Sequence, residues 1–154
     1  MKNALSIARK RCKGRLWAVM QPHTFSRVRT LFNDYLTCTQ IADITLVTDI
    51  CAAREKDPGD LNSGMLVEGM KRNGIDAHWT PSFDDTEKYL REHWRAGDLV
   101  LTMGCGDINL LNAQIHRHET EKGEQAGFPG TEERSARTSC GRIWKRSARR
   151  CPPA

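Results

Sequence analysis

Three short segments hold most of the residues whose types and spacing could do chemistry. The first, Gln21-Pro-His-Thr-Phe-Ser-Arg27, follows a β-rich run and enters a helical pattern at Ser26, a good N-cap. A helix amino terminus with His23 and Arg27 beside it suits a carboxylate or phosphate, through the helix dipole, free backbone N–H groups and a guanidinium fork. The same residues also read as a capped helix with a surface histidine and arginine. The second segment is Asp49-Ile-Cys-Ala-Ala-Arg-Glu55. Asp49 there could orient a bound amine, while Arg54 and Glu55 also read as a solvated ion pair of little energetic value. Cys51 reads as a small apolar filler, since no histidine stands near it in sequence to act as its base. The third is Met103-Gly-Cys-Gly-Asp107, whose Gly104 and Gly106 would let backbone approach a phosphate. Neither G-x-G-x-x-G nor G-x-x-x-x-G-K-[ST] occurs, and a structural turn with Asp107 capping the next helix explains the same residues.

Other candidates carry less. His78, next to Trp79 on an expected strand, reads as a packed histidine, and His116 with His118 lacks a third partner for a metal. The six cysteines stand singly with no CxxC pair, which argues against a disulfide framework or a zinc site and for reduced cytoplasmic thiols. Trp17 and Trp79 are expected in the core, Trp94 at a helix end and Trp144 in an exposed tail.

These segments need a scaffold that brings them together. Strands are expected at Leu16–Met20, Ile44–Thr48, Ala77–Thr80 and Asp98–Met103, and helices at Arg27–Thr39, Leu61–Asn73 and Asp84–Trp94. In Arg27–Thr39 the residues Val28, Leu31, Phe32, Tyr35 and Leu36 recur at three- and four-residue intervals and define one stripe. Asp84 or Asp85 can cap the third helix, and Met1–Lys13 forms a leading helix. The run Asp98-Leu-Val-Leu-Thr-Met103 is apolar throughout, the pattern of a strand buried on both faces. Strand and helix in alternation imply a three-layer α/β domain, with a mostly parallel, dinucleotide-fold-like sheet and helices on both faces. In such sheets ligands bind beyond the carboxyl ends of the strands, where all three segments lie.

The net charge of +5 is confined to the end of the chain: residues 131–154 hold seven Lys/Arg against Glu132 and Glu133, and residues 1–130 sum to zero. A basic tail on a neutral body argues against a folded part built around nucleic acid. No apolar run approaches membrane-span length, and no signal-peptide core follows the basic start. After about Ile115, Gly, Pro and Ser interrupt any period, so residues 116–154 are expected to be a basic, disordered tail with a candidate short helix over 142–149. The Arg, Ser, Cys and Pro content there is also that of a frame-shifted end.

Three stretches together, R-L-W-A-V-M-Q-P-H-T-F-S-R at Arg15–Arg27, A-A-R-E at Ala52–Glu55 and G-D-L-V-L-T-M-G-C-G-D-I at Gly97–Ile108, resemble the carboxy-terminal domain of the Mur ligase family over roughly residues 2–115. The resemblance implies a cytoplasmic step of peptidoglycan synthesis. There ATP, with Mg, phosphorylates the carboxylate of UDP-N-acetylmuramate, and the amine of L-alanine displaces phosphate. It further implies a domain that closes over a central ATPase domain and helps to bind the amino acid. His23 and Arg27 would line that cleft, where a cation could hold the L-alanine carboxylate or stabilise a phosphoryl group. Asp49 and Arg54 would be second-rank cleft residues, and Gly104, Gly106 and Asp107 a structural turn.

Departures from the family pattern matter equally. The phosphate-binding G-T-x-G-K-T loop, the UDP-binding domain and the D-D-Y-x-H-H-P-T-E segment do not occur in this sequence, and Thr24 stands where many members have arginine. The expectation is therefore no ligase activity, no tight ATP or Mg binding and no catalytic residue sufficient by itself, unless the central and amino-terminal Mur ligase domains are supplied in trans. Alternatives are a non-catalytic binding module with a nucleic-acid-binding tail, or a gene fragment without function.

Overall fold

A computed structural model describes residues 1–125, with side chains described through His118. Residues 126–154, and with them the expected basic tail and its short helix, lie outside the described residues. The elements are α1 (Lys2–Arg11), β1 (Leu16–Gln21), α2 (Phe25–Thr30), α3 (Phe32–Tyr35), β2 (Ile44–Val47), α4 (Ser63–Arg72), β3 (Ala77–Trp79), α5 (Phe83–His93), β4 (Leu99–Gly104) and α6 (Ile108–Gln125). The four strands form one sheet in the order β3-β2-β1-β4, every neighbouring pair parallel. The expected α/β architecture is present.

Alternation along β1 distributes the core between two faces. Leu16, Ala18 and Met20 pack under α1 and α2–α4, with Leu5, Ala8, Val28, Leu66 and Met70. Trp17 and Val19 turn to the opposite face and meet Leu90 of α5 and Leu111 and Ile115 of α6. β1 is thus the strand buried on both faces. β4 is not: it is an edge strand, and Leu99–Met103 are half-buried throughout. Its unbroken apolar run does not distinguish a central strand from an edge lying between two helices.

Polar groups fasten the amino ends of β1 and β4. The Asp98 carboxylate, almost fully buried, accepts from the backbone N–H of Arg15 (2.9 Å), the Trp17 indole Nε1 (2.9 Å) and Arg15 Nη2 (2.8 Å). Burial pushes its pKa up, but hydrogen bonds from Trp17, Arg15 and Arg95 outweigh that and hold it far below the usual carboxylate range.

Local chemistry moved several boundaries. The single helix expected over Arg27–Thr39 is two, broken at Leu31 (φ −104°, ψ 19°), whose side chain is 40% exposed. Thr30 Oγ1 bonds back to the Ser26 carbonyl at 3.0 Å, a contact that bends helices. The third helix is capped by Ser82, not by Asp84 or Asp85. Asp85 sits at N3 and completes a capping box, because Pro81 ends the preceding strand. Trp79, expected in the core, is 47% exposed at the end of a short edge strand.

Helix α6 runs to Gln125, so the change of character noted after Ile115 falls inside it. Leu111 and Ile115 bury its inner stripe, and one turn further His118 Nδ1 meets the buried Glu87 carboxylate at 2.7 Å. Glu87 also accepts from Arg91 Nε (2.6 Å) and Gln114 Nε2 (2.7 Å). Burial pushes its pKa up, and the bonds from His118, Arg91 and Gln114 bring it below the ordinary value. Among the described residues no helix is long and apolar enough to cross a membrane.

Candidate functional site at the carboxyl ends of β1, β2 and β4

The three sequence segments converge. His23 forms a parallel β-bridge with Cys51, with Thr24 N–H donating to the Cys51 carbonyl and Cys51 N–H to the Pro22 carbonyl, both at 2.9 Å. The exits of β1 and β2 are thereby one unit. The third segment closes on it: a Cβ on Gly104 would meet Gln21 Cβ at 3.1 Å, and one on Gly106 would meet Gln21 Oε1 at 3.0 Å and Cys51 Sγ at 3.2 Å. Absence of side chains at these two positions is what lets the β4 turn lie against β1. The turn is packed on Gln21 and Cys51 on one side and exposed on the other. Asp107, the last residue of this segment, is exposed.

Backbone strain is concentrated here. Thr24 (φ 59°) and Ala53 (φ 53°) are the two non-glycine residues at positive φ among the described residues, one directly after His23 and the other two residues after Cys51. A β-branched residue in that region costs energy, and such outliers cluster at functional sites.

The amino end of α2 differs from its expected form. The helix starts at Phe25, its N-cap Thr24 makes no side-chain cap, and Ser26 is inside it. Ser26 N–H donates to Glu55 Oε2 at 2.9 Å and its hydroxyl donates to Glu55 Oε1. Those two bonds, side chain first, hold the Glu55 pKa below its ordinary value. The helix end that suits an anion therefore already holds one from the chain itself. Glu55 is consequently not paired with Arg54.

Arg27 and Arg54 are exposed and make no ion pair among the described residues. The Arg27 charge acts on the buried Tyr35 phenol, which lies at the His23 backbone and also near Cys105. Burial pushes the Tyr35 pKa up, and Arg27 pulls it partly back. In the sequence Tyr35 reads only as part of a core stripe; a tyrosine eight residues after Arg27 gives no sign of facing the third segment. His23 Nδ1 and Gln21 Oε1 are buried without a hydrogen-bond partner among the described residues. Uncompensated buried polar atoms cost stability and are characteristic of sites that wait for a ligand or water.

Asp49 lies apart from this cluster. Its Oδ1 accepts from Trp79 Nε1 at 2.8 Å and its N–H donates to the Pro81 carbonyl, so it fastens β3 to β2. His78 Nε2 hydrogen-bonds with Asp76 Oδ1 at 2.8 Å and packs on Tyr89, and no group of three metal-ligating side chains occurs among the described residues.

No family model matches the chain. Curated relatives do. The UDP-N-acetylmuramate–L-alanine ligase of Clostridium botulinum (strain Okra / Type B1) is 44% identical over 104 residues, which is 68% of this chain and 23% of that ligase. The protein of the same name from Acetivibrio thermocellus is 39% identical over 108 residues, 70% of this chain and 23% of the relative. That from Lachnoclostridium phytofermentans is 41% identical over 100 residues, 65% of this chain and 21% of the relative. The chain is related to the Mur ligases. It matches a partial region of UDP-N-acetylmuramate–L-alanine ligase, spanning a little under a quarter of the length of these relatives. Within this Mur ligase region the His23–Cys51 bridge and the Ser26–Glu55 bonds join the loop that leads to Arg27 to the loop that carries Arg54.

Proposed function

We propose that the chain supplies the amino-acid-binding, cleft-closing surface of an ATP-dependent UDP-N-acetylmuramate–L-alanine ligase of cytoplasmic peptidoglycan synthesis, and acts with the remaining parts of such an enzyme. The observation that carries this reading is the pair of exposed guanidiniums, Arg27 and Arg54, which make no ion pair among the described residues and stand on the two loops joined by the His23–Cys51 bridge, where His23 Nδ1 is buried and without a hydrogen-bond partner among those residues. Arg27 is the group suited to the L-alanine carboxylate, since a guanidinium fork matches a carboxylate bidentately. Arg54 adds field from the second loop. His23 shapes the floor and offers one nitrogen to the ligand or to a bridging water.

The chemistry that follows is amide formation. The L-alanine amine nitrogen attacks the carbonyl carbon of the acyl phosphate, the C–O bond to phosphate breaks, phosphate leaves, and the nitrogen gives up its proton. Holding the carboxylate at Arg27 fixes the amine within reach, which is the entropic part of catalysis. ATP supplies the phosphoryl group in the complete enzyme. Nucleotide and Mg are assigned to the other parts of the ligase, because the phosphate-binding G-T-x-G-K-T loop does not occur in this sequence.

Mixing the full chain with the central and amino-terminal portions of a relative tests this. L-alanine-dependent phosphate release, absent from either component alone, is the expected result. Turnover that is independent of added chain would defeat the proposal.

A further inference from the structure

We infer that Glu55 is a positioning residue: by fastening the loop that carries Arg54 to the helix that carries Arg27, it fixes where one guanidinium stands relative to the other. What the two guanidiniums hold rests on the function proposed above; the fastening itself rests on hydrogen bonds.

Arg54 stands in a stretch without regular structure. No residue from 52 to 62 belongs to a helix or strand, and the first buried residue after Cys51 is Leu61. A side chain on such a loop is held in place only where the loop is tied to the scaffold. Two attachments tie this one. At the first, Thr24 N–H donates to the Cys51 carbonyl and Cys51 N–H to the Pro22 carbonyl. At the second, four residues on, Glu55 Oε2 accepts from Ser26 N–H at 2.9 Å and Oε1 accepts from the Ser26 hydroxyl. The chain turns between them, with Glu55 N–H donating to the Ala52 carbonyl at 2.9 Å and Ala53 at φ 53°. Arg54 lies inside that turn, one residue before Glu55, as Arg27 lies one residue after Ser26. Past Glu55, the tie from this loop to α2 among the described residues is the Arg29–Asp60 ion pair, exposed on both sides and of little energetic value.

The choice of partner separates Glu55 from an ordinary surface carboxylate. Next in sequence to one arginine and bonded to the neighbour of the other, it is placed to neutralise either. Both of its oxygens go to Ser26 instead, so the loop is fastened and neither guanidinium is consumed. A loop that is ordered beforehand loses less conformational freedom when its side chain binds an anion. Glu55 touches no reacting atom in this reading, so its loss acts on binding and not on the chemical step.

Two measurements on the full 154-residue chain test this. In the first, 15N relaxation follows the Arg54 amide: an order parameter of about 0.85 is expected in the wild type and one below about 0.6 in Glu55→Ala. Ser26→Ala, which removes the hydroxyl and keeps the N–H, should fall between. Glu55→Gln keeps an acceptor for the Ser26 N–H and gains a donor for its hydroxyl, so it should return Arg54 to the wild-type value. In the second, the same chains are combined with the central and amino-terminal portions of a relative and L-alanine is varied. Glu55→Ala should raise the KM for L-alanine about 5- to 10-fold with kcat within about twofold, and Glu55→Gln should restore it. Should Glu55→Ala lose its native circular dichroism, Ser26→Ala carries both measurements. An Arg54 amide as mobile in the wild type as in Glu55→Ala overturns the inference. So does a kcat that falls at unchanged KM, a KM that falls because the carboxylate had repelled the substrate, or a glutamine variant no better than alanine. Absence of turnover with the wild-type chain defeats the ligase reading instead, and the relaxation measurement then decides the fastening.

Discussion

Arg27 and Arg54 owe their availability to what their neighbours do. Glu55 could have neutralised either, but it is committed to Ser26, and Asp49 is committed to Trp79. Of the site, residue types and order were legible in the sequence, because β-rich runs mark where loops begin. Partnerships were not: that Glu55 closes on Ser26, and Cys51 on His23, depends on loops separated by more than two dozen residues. If Arg27 holds the amino-acid carboxylate, Arg27→Ala in the complemented ligase should raise the KM for L-alanine about 10- to 100-fold, the loss of a charge-assisted pair. Arg54→Ala should raise it less. Steady-state kinetics at varied L-alanine decide the matter; an unchanged KM with a reduced kcat would place Arg27 on the phosphoryl group instead. Thr24 gives a prediction free of any assay. Replacing this β-branched residue at φ 59° with glycine relieves the conformation, and Thr24→Gly should stabilise the chain by about 1 kcal/mol in urea unfolding.

Elements were read well where hydrophobic period decides and poorly where a single hydrogen bond does. All four strands and the α4 and α5 helices follow from pattern. The break at Leu31 and the Ser82 cap do not, since both depend on where one hydroxyl points. The central or edge position of a strand is set by which strands arrive beside it, which is why β4 read as doubly buried. At this scale Asp98 is the fastening between β1, β4 and the end of α5. Its folded pKa is depressed, so its contribution is fully present above the unfolded carboxylate value near 4 and is lost as pH falls towards the lower folded value. Asp98→Asn should cost about 2–4 kcal/mol at neutral pH, by leaving Arg15 without its buried counter-charge. The gap between wild type and variant should close progressively as pH falls below about 4 in chemical denaturation, because the unfolded carboxylate takes up a proton while the native one still resists it. A gap that is constant with pH would mean that the side chain acts by shape and not by charge.

Across the whole molecule, the extent of the folded body is set by long-range contacts that composition does not display. The polar stretch after Ile115 resembles a linker in sequence, yet α6 continues through it, and His118 returns to the only buried glutamate among the described residues. A helix that ends at Ile115 would leave the Glu87 carboxylate with Arg91 and Gln114 alone and would strip the last turns that hold Ile115 against Leu90 and Leu111. Losing a partner of a buried charge costs more than the net value of the bond, because desolvation is no longer offset. A chain ended after residue 115 should therefore be less stable than one ended after residue 125 by about 1–3 kcal/mol. His118→Ala in the full-length chain should reproduce part of that loss, by removing the hydrogen bond to Glu87 Oε1. Equal stability of the 115- and 125-residue chains would instead mean that Glu87 is satisfied by solvent, and that the folded body ends where the sequence pattern does.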